Sequence, residues 1–306
     1  MPAADPGPAE PGRSARHGVA WATAAFLWWG LSPLYWKALG GVDAGQLLAH
    51  RVAWSLALLV ALLAARGRGP ELRAALARPR TLATLVATTA LIGANWFTYI
   101  WAVGAERVLE ASLGYYVNPL VNVLLGMLFL RERLRRAQGL AVLLAAAGVA
   151  VLTAEVGRLP WVALVLALTF GFYGLLRKTV AAGPEVGLAV ETALLAPFAL
   201  AWLVRLHAAG AGAFGHGPAA IDLLLVASGV ITVLPMVWFT RGARLLPLST
   251  LGLLQYLSPT LQFLLAVAVY REPFTAAHLL AFGLIWSGLA VFTWDLRRRL
   301  ARRGGG

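Results

Sequence analysis

The sequence predicts an all-α integral membrane protein whose ten transmembrane helices form two inverted five-helix repeats. Three observations predict this fold class: the composition, ten apolar runs of membrane-spanning length, and a duplication within the chain. Of the 306 residues, 60% are hydrophobic and 13% are charged, whereas soluble domains average about 45–50% apolar and about 25% charged residues. Because the surface of a globule needs polar cover, this composition excludes a soluble enzyme.

The apolar runs give the order of the predicted spans. A bilayer core about 30 Å thick requires about 20 mainly apolar residues in each helix that crosses it. The runs that meet this requirement are 18–38, 46–65, 81–103, 111–130, 138–154, 161–177, 187–206, 220–240, 249–270 and 276–296. Residues 1–15 are rich in Pro, Gly and Ala, and we expect them to form a disordered cytoplasmic tail. We expect residues 297–306 to form a basic cytoplasmic tail.

The distribution of positive charge predicts the orientation. The chain has 26 Lys and Arg against 13 Asp and Glu, a net charge of +13. With the N-terminus inside, 20 of these 26 basic residues fall in cytoplasmic loops and tails. Cytoplasmic loops of membrane proteins are enriched in Lys and Arg. We therefore expect a multi-pass protein of the cytoplasmic (inner) membrane with both termini in the cytoplasm, and the charge needs no nucleic-acid partner.

A duplication divides the ten spans into two halves. Residues 116–153 and 256–293 align at a constant offset of 140, and the halves are 16–153 and 154–296. The matched pairs include Tyr116 and Tyr256, Pro119 and Pro259, Glu132 and Glu272, and Gly148 and Gly288. Because each half has five spans, the second enters the membrane in the opposite orientation. Inverted repeats with a site at their interface are typical of secondary transporters.

Three ionisable residues inside the predicted spans are candidates for the pathway. A charge at membrane depth is costly, so function is its default explanation. His50 and Arg51 lie four to five residues inside the second span. They can form a functional site, in which Arg51 contacts an anion and His50 titrates, or they can serve as an interfacial anchor. Glu191 lies among apolar residues of the seventh span. It can serve as the site of a coupling proton, or as the structural partner of Arg177, Lys178 or Arg51.

Uncharged polar and aromatic residues supply further candidates. Those in the spans are Asn95, Trp96, Tyr115, Tyr116, Asn118, Gln255 and Tyr256. Amides can line a pathway or bond one helix to the next, and the aromatic rings can stack on a solute or simply pack. Pro119 and Pro259 predict kinks in the fourth and ninth spans, which would expose backbone carbonyls to a central cavity. We expect Glu132, between Arg131 and Arg133, to form an exposed ion pair.

No pattern of catalytic chemistry is present in the sequence. The chain has no cysteine, and it contains neither a phosphate-binding Walker A loop, nor HExxH, nor GxSxG. We therefore expect no cofactor, no metal and no enzymatic activity. The alternatives are a membrane enzyme without a recognisable catalytic motif, or a channel, which commonly uses a ring of like residues from several subunits.

Several short motifs resemble those of a known transporter group. They are His50-Arg51-Val52-x-Trp54-Ser55, Ile92-Gly93-x-Asn95-Trp96, Glu110-Ala111-Ser112-Leu113-Gly114-Tyr115, Asn118-Pro119-Leu120 and Gln255-Tyr256-x-x-Pro259-Thr260. Over residues 16–295 the chain resembles the RarD-like permeases of the EamA group, in the drug/metabolite transporter superfamily. The resemblance implies a permease that moves a small organic solute or drug-like metabolite by alternating access, with protons as a candidate coupling ion. It brings no known substrate-contact residues.

Overall fold

The computed structural model describes residues 11–105, 107–157, 160–269 and 275–302, and their regular structure is entirely helical. The twelve helices are α1 (Pro11–Ala38), α2 (Ala44–Ala65), α3 (Gly69–Ala77), α4 (Pro79–Gly104), α5 (Val108–Phe129), α6 (Arg136–Val156), α7 (Trp161–Thr179), α8 (Pro184–Ala208), α9 (Ala219–Leu245), α10 (Leu248–Gln255), α11 (Leu257–Ala268) and α12 (Ala276–Arg302). An all-α membrane protein is confirmed. The short α3 was not expected from the search for apolar runs.

Helices extend into both predicted tails. Residues 1–10 and 303–306 lie outside the described part of the chain. Residues 11–15, which were expected to be disordered, belong to α1. At the other end, α12 continues as far as Arg302.

Eight of the described helices are long and apolar enough to cross a membrane: α2, α4, α5, α6, α7, α8, α9 and α12. Each coincides with one predicted span. The expected spans 18–38 and 249–270 do not meet the same test, for two physical reasons. Helix α1 contains four tryptophans, which lower its hydropathy. Residues 249–270 are divided at Tyr256 into α10 and α11, which are 8 and 12 residues long.

The two prolines with predicted kinks sit in different backbone settings. Pro119 lies inside the continuous helix α5. Pro259 is the third residue of α11, and it has no N–H to donate to the carbonyl of Gln255, the last residue of α10. The helical path of the ninth predicted span is therefore interrupted at Tyr256, three residues before its proline.

The helices form one closely packed bundle. Helix α5 packs against α7 and α10, α1 against α9 and α11, α2 against α8 and α9, and α6 against α12. The last pair meets through glycines. A Cβ placed on Gly148 would lie 2.7 Å from the carbonyl oxygen of Ala281, and one on Gly288 would lie 2.8 Å from that of Ala141. The two backbones therefore touch at their crossing.

The two ends of the bundle differ in character. At the end that carries α3, the carboxylate of Glu185 accepts hydrogen bonds from Arg68, at 3.1 Å, and from Arg241. Arg68 also donates to Glu71 and so lowers the pKa of that exposed carboxyl. At the opposite end, Gln46 donates to the carbonyl of Ala211 and thereby holds the connection between α8 and α9.

Candidate functional site

Arg51 is held inside the bundle by side chains from three other helices. It lies seven residues into α2, about 10 Å from the start of the helix at a rise of 1.5 Å per residue. Its Nε donates to the hydroxyl of Thr232 at 3.1 Å. Its guanidinium carbon lies 4.9 Å from the ring centroid of Trp36 and 5.1 Å from that of Trp96. Two indole faces thus stabilise the cation and fix its direction.

Tyrosines complete the surroundings of this guanidinium. The hydroxyl groups of Tyr115, Tyr99 and Tyr35 interact with it electrostatically. The rings of Tyr99 and Tyr115 are 6.3 Å apart, and each residue is 39% exposed. Part of each tyrosine side chain beside the cation is therefore not covered by the protein. We call the set Trp36, Arg51, Trp96, Tyr99 and Tyr115 the aromatic chamber.

The donors of Arg51 are only partly used. Among the side chains that the structure describes, which do not include those of Glu106 and Glu110, its two terminal nitrogens donate to no protein group and no carboxylate pairs with it. An arginine has five N–H donors in a planar fork, which suits a carboxylate bound through both oxygens. Four of these donors are therefore available to a bound anion.

His50 does not join Arg51 in the chamber. Neighbouring residues of a helix point about 100° apart, and the ring centroid of His50 lies 5.5 Å from that of Phe214. With Gln46 and His207 it lines a separate cavity of about 410 Å³ at the end opposite α3. The two adjacent residues of the predicted site thus face different spaces.

Glu191 forms a buried ion pair in another part of the bundle. Its Oε1 lies 3.5 Å from Nε of Arg177, and the two side chains are 1% and 0% exposed. Thr88 donates to the carboxylate at 2.6 Å and Tyr173 at 3.1 Å. Of the three cations expected as structural partners, Arg177 is the one beside Glu191. The group connects α4, α7 and α8.

Three amides join α5 to α10 in a closed cluster. Asn122 donates to Gln255 at 2.8 Å, Gln255 to Asn118 at 2.5 Å, and Asn118 to the carbonyl of Ala167 at 2.7 Å. All three amide side chains are buried. Asn118 and Gln255 are therefore engaged with the protein, and Asn122 is a member that the candidate set lacked.

The remaining candidates bond one helix to another. Asn95 donates to the carbonyl of Leu166 and to Thr169, both at 2.9 Å, which joins α4 to α7. The hydroxyl of Tyr116 donates to the carbonyl of Pro259, and that of Tyr256 to the carbonyl of Tyr116. Of the sequence candidates, the structure brings together Arg51, Trp96 and Tyr115.

Sequence reasoning missed Trp36, Tyr99 and Thr232. A signal existed for Tyr99, which follows Trp96 by three residues and so shares its helix face. Trp36 lies near the end of α1, where a tryptophan is expected in an interfacial belt. Thr232 carries no sequence signal, because its role depends on how α9 packs against α2.

The expectation for Glu132 is wrong. Its carboxylate accepts hydrogen bonds from the backbone N–H groups of Leu248, at 2.6 Å, and Ser249, at 2.9 Å, and from the Ser249 hydroxyl. These N–H groups lie in the first turn of α10 and have no intrahelical acceptor. The carboxylate caps a helix instead of forming an exposed ion pair with its arginine neighbours.

Sequence comparison assigns the chain to a family. Residues 16–154 match the EamA-like transporter family. Over 283 residues the chain is 44% identical to Protein RarD of Escherichia coli strain K12, covering 92% of this chain and 96% of that protein. The chain belongs to the RarD/EamA family of the drug/metabolite transporter superfamily. It is therefore a membrane protein of the transporter type.

Other members and a solved structure agree with this family. An uncharacterized transporter of Vibrio cholerae is 45% identical over 283 residues, covering 92% of this chain and 94% of that protein. One crystal structure matches with a TM-score of 0.70 at 25% identity, covering 92% of this chain and 98% of the other. The similarity to RarD/EamA members and to the solved structure thus extends over 92% of the chain.

Proposed function

We propose that this protein is a secondary transporter that carries a small organic solute across the cytoplasmic membrane by alternating access, with the aromatic chamber as its solute site. The observation that carries the proposal is the Arg51 guanidinium. It is fixed by Thr232 and two indole rings, yet its terminal donors meet no protein group among the side chains that the structure describes. Small-molecule sites combine apolar walls with a few well-placed polar groups, as this chamber does.

The pattern of helix contacts supports ten spans in two inverted repeats. Under a two-fold relation, each span of the first half corresponds to the span five places later. The contact of α4 with α7 then corresponds to that of α9 with α1, and the contact of α5 with α7 to that of α11 with α1. Gly148 meets Ala281 and Gly288 meets Ala141, and both pairs are exchanged by the offset of 140.

Reporter fusions test the proposed orientation. Fusions after residues 75, 135 and 300 should report the cytoplasm, and one near residue 212 should report the outer side. The expectation follows from the excess of basic residues on one side of the predicted spans. A clear reversal at any one of the four positions would contradict the ten-span topology.

The proposal includes proton coupling through Glu191. The contact of Glu191 with Arg177 defines the alternative, a purely structural ion pair. If Glu191 carries the coupling proton, Glu191→Gln should keep solute exchange and lose transport driven by a pH gradient. If it is the structural partner of Arg177, the variant leaves a buried cation uncompensated, and expression and both transport modes should fall together. Gradient-driven transport equal to wild type at equal expression would contradict the coupling role.

Counterflow in proteoliposomes tests the transporter itself. Vesicles containing purified protein are loaded with a mixture of labelled organic acids, amino acids, amines and sugars, and exchange against outside solute is followed. We expect counterflow of one class, with its loss in Arg51→Gln. Arg205→Gln is the matched control, because Arg205 also lies over an indole ring, 5.7 Å from Trp202, outside the chamber. Steady uncoupled flux would indicate a channel, and chemical conversion an enzyme.

A further inference from the structure

We infer that the chamber accepts organic monoanions, a carboxylate joined to a flat apolar body, and discriminates against amines, because the solute serves as the counter-ion of Arg51. This inference deepens the proposed transporter and rests on it. Its starting point is the difference between Arg51, whose terminal donors meet no described protein group, and other cations of the bundle, such as Arg177 and Lys178, whose donors meet carboxylates or backbone carbonyls.

Three other arginines of the bundle have carboxylate partners. Arg177 is paired with Glu191, and Arg68 and Arg241 share Glu185. Lys178 and Arg244 donate to backbone carbonyls instead. Arg51 has neither kind of acceptor among the described side chains and carbonyls, apart from the Thr232 hydroxyl, and its electrostatic neighbours are neutral tyrosine hydroxyls. An uncompensated charge inside a bundle is strongly unfavourable. A bound anion would remove this penalty.

The duplication allows Arg51 to be compared with the equivalent residue of the second half. Arg51 and Glu191 are separated by 140 residues, the offset that relates the two halves, and each lies seven residues after the start of its helix. In the second half the ionised group has a protein partner, Arg177, at 3.5 Å. At the equivalent position in the first half, Arg51 receives its counter-charge from the bound solute.

The geometry of the chamber favours a carboxylate on a flat body. The bond from Nε to Thr232 and the two indole contacts orient the guanidinium fork, so its terminal nitrogens can bind both oxygens of a carboxylate. The exposed rings of Tyr99 and Tyr115 provide adjoining apolar surface. Aromatic rings stack favourably on flat apolar groups.

The same geometry disfavours an ammonium group. The indole faces of Trp36 and Trp96, which could otherwise hold a cation, are occupied by Arg51. No carboxylate among the described side chains forms an ion pair with Arg51 that could offset a second positive charge. A monoanion should therefore bind more tightly than a zwitterion of the same skeleton, and a cation should bind least.

Three probes with one skeleton test this order. Binding of 3-phenylpropanoate, L-phenylalanine and 2-phenylethylamine to the full chain in lipid nanodiscs is measured at equilibrium, with radiolabelled probes. We expect affinity to decrease in that order. Arg51→Gln should weaken binding of 3-phenylpropanoate by about tenfold or more, because charge-assisted hydrogen bonds are lost. Arg205→Gln should leave it unchanged.

A second variant separates a binding effect from a folding effect. Thr232→Val keeps the charge of Arg51 but removes the acceptor that orients its fork. We expect a weaker but detectable affinity for 3-phenylpropanoate, with melting temperatures of all variants recorded in parallel. The inference is overturned if 2-phenylethylamine binds as tightly as 3-phenylpropanoate, if none of the three probes binds, or if folded Arg51→Gln binds like wild type.

The two levels of the proposal fail differently. If counterflow occurs with the solute mixture but 3-phenylpropanoate neither binds nor competes, the anion inference is wrong and the transporter stands. If no solute class gives counterflow, the transporter itself is wrong. Competition by 3-phenylpropanoate in the counterflow assay, lost in Arg51→Gln and kept in Arg205→Gln, would support both.

Discussion

At the residue scale, Gly187 makes the buried pair of Arg177 and Glu191 sterically feasible. A Cβ at position 187 would lie 1.8 Å from Nη1 of Arg177. That guanidinium is fully buried, and its Nη2 donates to the carbonyl of Pro184 at 2.9 Å. Because the arginine is fixed at both ends, it cannot move aside for a methyl group.

Gly187→Ala should therefore lower stability by displacing Arg177 from Glu191. Overpacking of a tight interior costs about 1–3 kcal/mol, and partial loss of the ion pair should add to this. The measurement is the melting temperature in nanodiscs. Gly139→Ala is the control, since it is also helical and a Cβ there meets nothing within 4 Å. Equal melting temperatures for the two variants would contradict the steric argument.

The sequence predicts those site residues that stand out within a single span, but it does not predict which residues of other spans contact them. Arg51 was identified because a charge interrupts an apolar run. Its partners Trp36 and Thr232 come from α1 and α9, and no spacing along the chain relates them to α2. His50, adjacent in sequence, was placed with Arg51 by proximity alone and faces another cavity.

At the scale of the element, α10 depends on a cap from a distant helix. Its N-cap residue, Pro247, offers no side-chain acceptor. The carboxylate of Glu132 takes this role from the end of α5, 116 residues earlier for Leu248. Arg131, with a φ of 54°, turns the chain so that Glu132 points at α10. A carboxylate at a helix N-terminus also complements the helix dipole.

Glu132→Ala should therefore loosen the contact of α5 with α10. Loss of an N-cap acceptor costs about 0.5–2 kcal/mol, and we expect faster hydrogen exchange at the amides of Leu248 and Ser249. Glu155→Ala is the matched control, because that carboxylate is exposed and bonds to the Thr275 hydroxyl. Unchanged exchange at both amides in Glu132→Ala would contradict the capping role.

The interruption at Tyr256 lies where a proline at 259 is expected to disturb the helix. Residues 249–270 form one apolar run, and Pro259 has no N–H for the carbonyl of Gln255, so the helix is interrupted in the turn before the proline. The Tyr256 hydroxyl bonds to the carbonyl of Tyr116, a contact with α5 that no spacing along the chain predicts. The eight apolar helices were predictable because length and hydropathy are local properties of the chain.

At the scale of the whole molecule, α6 and α12, which belong to different halves of the proposed repeat, cross at backbone contact. Gly148→Ala and Gly288→Ala should both lower the melting temperature, and by similar amounts, because each added Cβ meets a carbonyl oxygen at 2.7–2.8 Å. Overpacking of about 1–3 kcal/mol per variant is expected. The measurement is thermal unfolding of the full chain.

Each helix of the crossing contains its own control. Gly139 in α6 and Gly283 in α12 have nothing within 4 Å of an added Cβ, so Ala at either position should be neutral or slightly stabilising. A loss at Gly148 without one at Gly288 would contradict the reciprocal crossing and, with it, the two-fold relation of the halves.

In the proposed carrier, the guanidinium of Arg51, which has no carboxylate partner among the described side chains, should also make the empty state sensitive to voltage. When the chamber is open to one side of the membrane, Arg51 is at the electrical potential of that side. Alternating access therefore changes the potential at Arg51 from that of one side to that of the other. One elementary charge crossing the full field corresponds to about 2.3 kcal/mol per 100 mV. An interior-negative membrane would therefore draw the empty chamber toward the cytoplasmic face, whereas a bound monoanion would cancel the charge and leave the loaded chamber indifferent to the field.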